Sequence, residues 1–578
     1  MMGPPTVSAF KLTILVALTL IGVPTMILGQ TADSTFRCDG LSVRAVDVET
    51  SRPTFRGAMG WWRKTARALG LHHETTSEGL VRRFVSLDPG KQCTEFRRSE
   101  SERILRAQPY LADANVVTTQ VGDSVHVSVA TVDEVPVVAG ARLRGAQVEA
   151  FNLGTVNFLG AGMHVETRWE NGRVYRDGFG VRLSHNQIFG HPYVFAFEGD
   201  RHPIGEVYSG ALSHPFLTDL QKVAWHAGYT TSRDFARLRR PDRAQLVEPL
   251  DRALWNVGGV VRLGPPRRLY LVGGMVLNER FEPGQQFSTV DTITGLFTPV
   301  PYPAGVRTYS DYEATNVAAV LGVRALTFTR MRGLDALEAE QDIATGTQVG
   351  SLIGGAPFDG SFLRDGFATV DAYVGGRSRR NFIGARAEVE SRLDLQQQDW
   401  QHLIASGRAA WYFKPRPRWT SELSVEAGGG WRTILPFQLE LGDRQGGVRG
   451  YARSLEAGAQ RIVARLEQRF DLARYQRTRA GIGAAFFGDA GRIWSGDVPF
   501  GMDTPIRSSV GLAVLAAIPA RSQRTIRAEL AVPLMRSLGA RPELRFVVRE
   551  PARGFWFDPP RIRWARLSNV PEAIFSWP

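Results

Sequence analysis

The chain has 578 residues, enough for a large domain and a small one, with a net charge of +13 and 43% apolar residues. Its mean hydropathy of −0.16 and the lack of a long internal apolar run exclude a protein that crosses the membrane with several helices. The basic excess does not predict nucleic-acid binding, because the arginines alternate with glutamates along strand-like segments and do not cluster on a helix.

The N-terminus has the pattern of a secretory signal. Lys11 precedes an apolar run over residues 12–23, and the small residue Gly29 stands near the end of the segment. A short basic start, an apolar middle and a small residue near the exit are typical of such signals. We predict a signal peptide over residues 1–29 and a mature chain that begins at Gln30. An uncleaved membrane anchor is the alternative interpretation.

The chain contains two cysteines, Cys38 and Cys93, both within the first hundred residues. An exported chain meets an oxidising compartment, where disulfides form and persist. We therefore predict one disulfide between them, and two unpaired thiols are the alternative.

Residues 30–136 are predicted to form a small α/β domain with the order strand, helix, helix, strand, strand. The predicted strand 41–48 is followed by an insertion, 51–75, which carries Trp61 and Trp62 and is compatible with an extra amphipathic helix. Helices are predicted over 77–87 and 99–107, the second beginning with a capping pattern at Ser99. Strands 116–120 and 124–132 would close the domain as a hairpin around Gly122.

From residue 137 onward the sequence alternates apolar and charged residues with a period of two. The alternation is clearest in segments 162–169, 385–395, 462–470 and 526–532, where Leu466 and Leu530 lie on the apolar face. A soluble sandwich would also alternate, but the recurrence along the chain and the mixed Arg and Glu face favour a membrane β-barrel with a polar lumen. We therefore predict four charged side chains inside the lumen: Glu467, Arg469, Arg527 and Glu529.

Residues 137–578 are the predicted barrel domain. At about 28 residues per strand with its connection, they would hold about 16 antiparallel strands. Segments 279–312 and 333–366 are rich in Gly, Pro and Thr and are predicted to be long surface loops. The predicted fold class is therefore a β-barrel membrane protein with one N-terminal α/β domain, and closure of the sheet removes edges that lipid does not tolerate.

Two short motifs in the last third of the chain combine an arginine and a carboxylate. The first is a glycine-flanked tip, Val448, Arg449, Gly450 and Tyr451, and the second is an F-x-D-x-G segment, Phe487, Asp489 and Gly491. Inside a barrel an arginine and an aspartate each need a partner. A common glycine turn with an exposed arginine is the alternative interpretation of the first motif.

At these residues the chain resembles the outer-membrane assembly-factor superfamily, which includes the BamA and TamA insertases and the transporters of two-partner secretion. Gly458 and Glu467-Gln468-Arg469, between the two motifs, resemble the intervening strand of that family. The resemblance implies one periplasmic polypeptide-transport-associated (POTRA) domain over 30–136 and a 16-stranded bacterial surface antigen barrel in the outer membrane. It also implies that the first motif folds into the lumen and that Arg449 meets Asp489.

The resemblance further implies a function in assembling, inserting or translocating proteins at the bacterial outer membrane. The partners would be the lipid bilayer, unfolded outer-membrane or secreted client proteins, and accessory periplasmic proteins. Alternatives are a dedicated transporter of the two-partner-secretion type and a passive structural barrel or pore. The chain departs from the family in having one POTRA-like domain and a tail after strand 543–549. Either residues 554–557 extend the closing strand or the chain continues past the seam.

No catalytic, metal-binding or cofactor-binding residue is predicted. The sequence has neither a G-x-S-x-G segment nor a phosphate-binding loop. His72 and His73 are adjacent, and adjacent histidines in one segment rarely complete a metal site. Glu388 and Glu390 share one barrel face with flanking arginines, which favours a satisfied ion network over acid–base catalysis. The protein is therefore predicted not to be an enzyme.

Overall fold

The structure is a computed structural model that describes residues 37–566. Within that range it leaves out residues 54–73, 145–146, 173–175, 203–204, 241–245, 285, 291–296, 302–308, 357–364, 395–398, 443–445, 452–453, 476–479, 536–539 and 550–559. The predicted signal peptide, most of the 51–75 insertion and the last twelve residues lie outside the described residues.

The N-terminal unit contains five elements in the predicted order. They are β1 (Ser42–Ser51), α1 (Glu78–Arg83), α2 (Glu95–Arg106), β2 (Leu111–Val121) and β3 (Ser124–Asp133). The strands form a sheet in the order β1-β3-β2, in which β3 is antiparallel to β2 and parallel to β1. The helices cover one face of this sheet, and the core between them is apolar, with Val81, Leu105, Val116, Val125 and Val127 buried.

Two sequence predictions for this unit have clear outcomes. The disulfide is confirmed, because Cys38 and Cys93 are bonded, with 5.6 Å between their Cα atoms. The predicted start of α2 at Ser99 is wrong. The helix begins at Glu95, and Thr94 caps it by accepting a hydrogen bond from the Arg97 amide at 3.2 Å. Ser99 lies inside the helix, where its hydroxyl donates to the Phe96 carbonyl oxygen.

The rest of the described chain is a closed antiparallel barrel. Its wall strands are β4 (Val137–Arg144), β5 (Gln147–Phe158), β6 (Met163–Glu170), β7 (Gly178–His185), β8 (Val194–His202), β9 (Gly205–His214), β10 (Val223–Leu238), β11 (Leu246–Leu263), β12 (Leu269–Pro283), β15 (Tyr312–Arg332), β16 (Glu340–Gly355), β17 (Asp365–Ser378), β18 (Asn381–Asp394), β19 (Asp399–Arg416), β20 (Trp419–Trp431), β23 (Gln460–Tyr475), β24 (Ala480–Trp494), β25 (Arg507–Ala517), β26 (Thr525–Pro533) and β27 (Glu543–Arg549).

Two further strand pairs and one helix complete the described elements. The strands β13 (Phe287–Val290) and β14 (Phe297–Val300) form a hairpin, and β13 pairs with the start of β11 at Leu246 and Val247. In the wall itself, β12 pairs directly with β15. The pair β21 (Leu439–Glu440) and β22 (Ala457–Gly458) lies between β20 and β23. The helix α3 (Pro560–Ala565) follows the last strand. No helix in the described part of the chain is long and apolar enough to cross a membrane.

The predicted number of about 16 strands is wrong, because about twenty strands form the described wall. The assumed length of a strand with its connection was too long, since β4–β9 have only 8 to 12 residues each and most turns between them are short. The segment 333–366 also holds β16, which pairs with β15 over sixteen residues, and was wrongly predicted to be a loop. Its glycines are tolerated because both neighbouring strands hold its backbone.

The wall has an apolar outer face and a charged inner face. Leu466 on β23 is 58% exposed and Leu530 on β26 is 43% exposed, whereas Glu467 and Arg527 on the same strands are buried. Since side chains alternate across a strand, these pairs of positions define the two faces. An exposed apolar belt around a closed sheet suits contact with lipid.

The N-terminal unit packs against one end of the barrel. Arg106 on α2 donates two hydrogen bonds of 2.8 Å to Asp342 on β16, and Arg330 on β15 forms an ion pair with Glu102. The Ser522 hydroxyl, in the turn between β25 and β26, donates to Glu134 at 2.7 Å. The unit therefore lies across the end of the barrel at which these turns are found.

Candidate functional site

The connection between β20 and β23, residues 432–459, folds into the barrel. Its apolar residues Leu435, Phe437, Leu439 and Leu441 are fully or almost fully buried. Phe437 and Leu439 cluster with the inward-facing Ile404 of the wall. The connection, called the inserted loop below, thus fills part of the lumen and brings its tip against β23–β26.

The glycines shape the tip of the inserted loop. Gly446 and Gly450 have φ angles of +82° and +85°, a conformation that other residues rarely adopt. A Cβ atom at Gly447 would lie 1.8 Å from the carbonyl oxygen of Leu441, which accepts a hydrogen bond from the Val448 amide at 2.8 Å. Any side chain at position 447 would therefore break the contact that closes the tip.

Arg449 makes a bidentate ion pair with Asp489 on β24. Its Nε and Nη2 atoms donate to the two carboxylate oxygens at 2.7 and 2.6 Å, and its backbone amide donates to Oδ2 at 3.2 Å. The guanidinium carbon lies 3.5 Å from the centre of the Phe487 ring, in a cation–π contact. Both charged side chains are almost fully buried. Two parallel hydrogen bonds of this kind fix the position of the tip, and the carboxylate also compensates the charge of the arginine.

Two glutamates from neighbouring strands extend the ion network. Nη1 of Arg449 lies 3.4 Å from Glu467 on β23 and 3.7 Å from Glu529 on β26. Arg527 donates two hydrogen bonds to Glu467, at 2.9 and 2.8 Å, and one to Glu529 at 2.6 Å. Arg545 on β27 donates to the other oxygen of Glu529 at 2.5 Å. The network thus joins the inserted loop to strands β23, β24, β26 and β27.

The two apolar residues of the first motif hold the tip on either side of Arg449. Val448 packs with Val463 and Ile493, and a Cβ atom at Gly491 would lie 2.7 Å from its side chain. The Tyr451 hydroxyl lies within hydrogen-bond distance of the carbonyl oxygens of Ser508 and Met535, at 3.1 and 3.0 Å. Gly491 therefore leaves room for Val448, and Tyr451 attaches the tip to the strand that follows the F-x-D-x-G motif.

The structure brings together all the residues of both sequence motifs. It also places the four predicted lumen charges, Glu467, Arg469, Arg527 and Glu529, on the inner face and buries them. Sequence reasoning missed three further members of the network: Arg545, Glu422, which accepts from Arg469 at 3.0 Å, and Arg465, which donates to the Gly446 and Gly447 carbonyl oxygens. The only available signal for these residues was their charge on a strand face.

The arrangement is an ion network with opposite charges placed in contact. No group of His, Cys, Asp or Glu that could hold a metal ion occurs among the described residues. Each carboxylate of the network accepts from at least one guanidinium, so the network is suited to locking the loop and not to moving protons.

Comparison with known proteins identifies similar structures only. No family model matches the sequence, and no curated protein matches it. The chain is similar to BamA from Haemophilus ducreyi lacking POTRA domains 1–3, with 12% identity, coverage of 88% of this chain and 83% of that one, and a TM-score of 0.39. It is also similar to CdiB from Escherichia coli, with 11% identity, 91% and 92% coverage and a TM-score of 0.38. CdiB from Acinetobacter baumannii matches with 8% identity, 88% and 73% coverage and a TM-score of 0.37.

With identities of 12% or less and TM-scores below 0.5, these likenesses carry no argument about the function of this chain.

Proposed function

We propose that this protein inserts or translocates polypeptides at the bacterial outer membrane, with its N-terminal unit in the periplasm. The observation that supports this most is the inserted loop held inside the lumen by Arg449, Asp489 and Glu467. A passive pore needs an open lumen, whereas this barrel uses buried ion pairs to hold the inserted loop there. Such a loop can brace one part of the wall while another part opens.

The ion network around the inserted loop connects the strands that come before the seam between β27 and β4. Arg449, Glu529 and Arg545 connect the inserted loop to β24, β26 and β27. The seam strands β27 and β4 have 7 and 8 residues, compared with 14 to 21 in β15–β19. Shorter strands have fewer backbone hydrogen bonds to break, so the seam costs less to open than the strand pairs among β15–β19. An opened seam offers two strand edges on which a client strand can pair.

The N-terminal unit would supply the client. Its sheet has β2 at an edge, and an extended polypeptide can add a strand to such an edge. In this proposal the unit corresponds to the predicted POTRA domain, and its contacts with the barrel turns carry the client toward the lumen and the seam. Since the sequence has no nucleotide-binding loop, folding of the client itself would drive insertion.

The test is depletion of the protein followed by quantitative proteomics of the outer membrane. Broad loss of barrel proteins supports insertion of many clients, and expression of the wild-type chain but not of Arg449→Ala should restore them. Loss of a single secreted protein would instead show a dedicated secretion transporter. An unchanged outer membrane would contradict the proposal and favour a passive barrel.

A further inference from the structure

The C-terminal helix α3 lies inside the barrel, after the last wall strand. Its buried residues Ile562 and Ala565 cluster with Ile404 of β19 and Phe437 of the inserted loop. Val389 and Trp411, on the opposite face of β18 and β19, are exposed to the outside. The tail segment 560–566 therefore occupies the lumen, and the chain continues past the seam instead of ending there.

Side chains of the wall bind the C-terminal end of the helix. Arg252 on β11 donates to the carbonyl oxygens of Trp564 and Arg566, the latter at 2.6 Å, and Nε2 of His402 on β19 donates to the Ala565 carbonyl oxygen at 2.9 Å. The last carbonyls of a helix have no partner within the helix and carry a partial negative charge. These wall residues satisfy them from two separated parts of the ring.

Arg566 makes the reciprocal contact. Its guanidinium donates to the Ser406 hydroxyl at 2.6 Å and forms an ion pair with Glu388 on β18. The tail thus donates to one group of wall residues and accepts from another. A site that recognises both the charge and the carbonyl end of a segment is specific for that segment.

The wall also provides space for the helix. A Cβ atom at Gly428 on β20 would lie only 2.4 Å from Cδ1 of Ile562. Glycine in a strand interior often marks a place where another backbone or side chain approaches closely. Here the approaching group belongs to the tail.

We propose that residues 560–566 are a releasable plug, and that the barrel conducts more when this segment leaves its lumenal site. A helix of six residues is too short to be stable in water, so it forms when it docks and unfolds when it leaves. The contacts that hold its C-terminal end are polar, and water can replace them once the segment is released. The proposal concerns passage through the lumen and does not depend on which polypeptide the protein handles.

The first test is ion conductance of the purified full-length protein in planar bilayers with potassium chloride on both sides. Gly428→Phe should expel the helix without changing the tail, and Arg566→Ala should weaken its anchor. Both variants should conduct at least several-fold more than the parent protein. Gly376→Phe is the matched control on the wall, because a Cβ atom there meets nothing within 4 Å.

The second test reports release of the tail directly. Both native cysteines are in the disulfide, so Ala565→Cys introduces a single free thiol at a buried position. A membrane-impermeant maleimide should label it slowly, and faster when Gly428→Phe or Arg566→Ala is added. Unchanged labelling in both variants would overturn release, and faster labelling without a rise in conductance would overturn the plug. If Gly428→Phe fails to give a folded, heat-modifiable barrel, Arg566→Ala decides both tests.

Discussion

Removal of the Arg449 guanidinium should destabilise the barrel more than removal of its partner carboxylate. In Arg449→Ala, Asp489 stays fully buried and loses both side-chain donors. Only the backbone amide of residue 449 still donates to it among the described contacts. Breaking a buried ion pair by removing one partner typically costs about 3–5 kcal/mol, and we expect a loss in this range.

The reverse change leaves a better-compensated charge. In Asp489→Ala, Arg449 still has Glu467 at 3.4 Å and Glu529 at 3.7 Å, so its charge stays close to two carboxylates. We expect a loss of about 2–3 kcal/mol, below that of the arginine variant. The double variant leaves neither charge orphaned and should lose no more than Arg449→Ala alone. The coupling energy between the two sites should therefore be about 2 kcal/mol or more.

The assay is urea unfolding of the refolded protein in detergent micelles, followed by the difference in gel migration between boiled and unboiled samples. Arg432→Ala is the control, because its partner Asp399 is also on the surface and the pair is exposed to water. Surface ion pairs contribute little, so this variant should unfold like the parent. Additive losses in the double variant, or normal stability of Arg449→Ala, would show that the loop is not held by this pair.

Three further predictions concern the faces, the disulfide and the N-terminus. Cysteines introduced at Leu466 and Leu530 should react with lipid-soluble reagents and not with aqueous ones, and the opposite labelling would reverse the two faces. Replacement of Cys38 and Cys93 by serine should destabilise the N-terminal unit by about 3–4 kcal/mol, seen as faster proteolysis of that unit than in the parent. The intact mass of membrane-extracted protein should correspond to a chain that begins at Gln30, and retention of Met1 would disprove cleavage.

The features that sequence reasoning found are those set by local patterns. Alternation in 462–470 and 526–532 is enough to place Leu466 outside and Glu467 inside, because strand side chains point to opposite faces in turn. The glycines around Arg449 indicated an unusual backbone, and burial of an arginine requires a carboxylate such as Asp489.

The features that it missed depend on contacts between distant segments. Strand β16 was predicted to be a loop because its glycines are poor strand signals without knowledge of the neighbouring strands. Arg527 and Glu467 are sixty positions apart in the sequence, so the alternation of residues within one strand does not predict that they form an ion pair. The lumenal site of the tail is assembled from β11, β18, β19 and β20, so it exists only once the ring has closed.

In the proposed function, client strands meet this protein at the seam between β27 and β4. A photoreactive amino acid at Phe546 on β27, and another at Ala139 on β4, would probe that seam during growth, since both positions are exposed. Val374 on β17, which is also exposed but lies far from the seam, is the control. We expect cross-links to newly exported outer-membrane or secreted polypeptides at Phe546 and Ala139 but not at Val374. Equal cross-linking at all three positions, or none at the seam, would contradict the proposal.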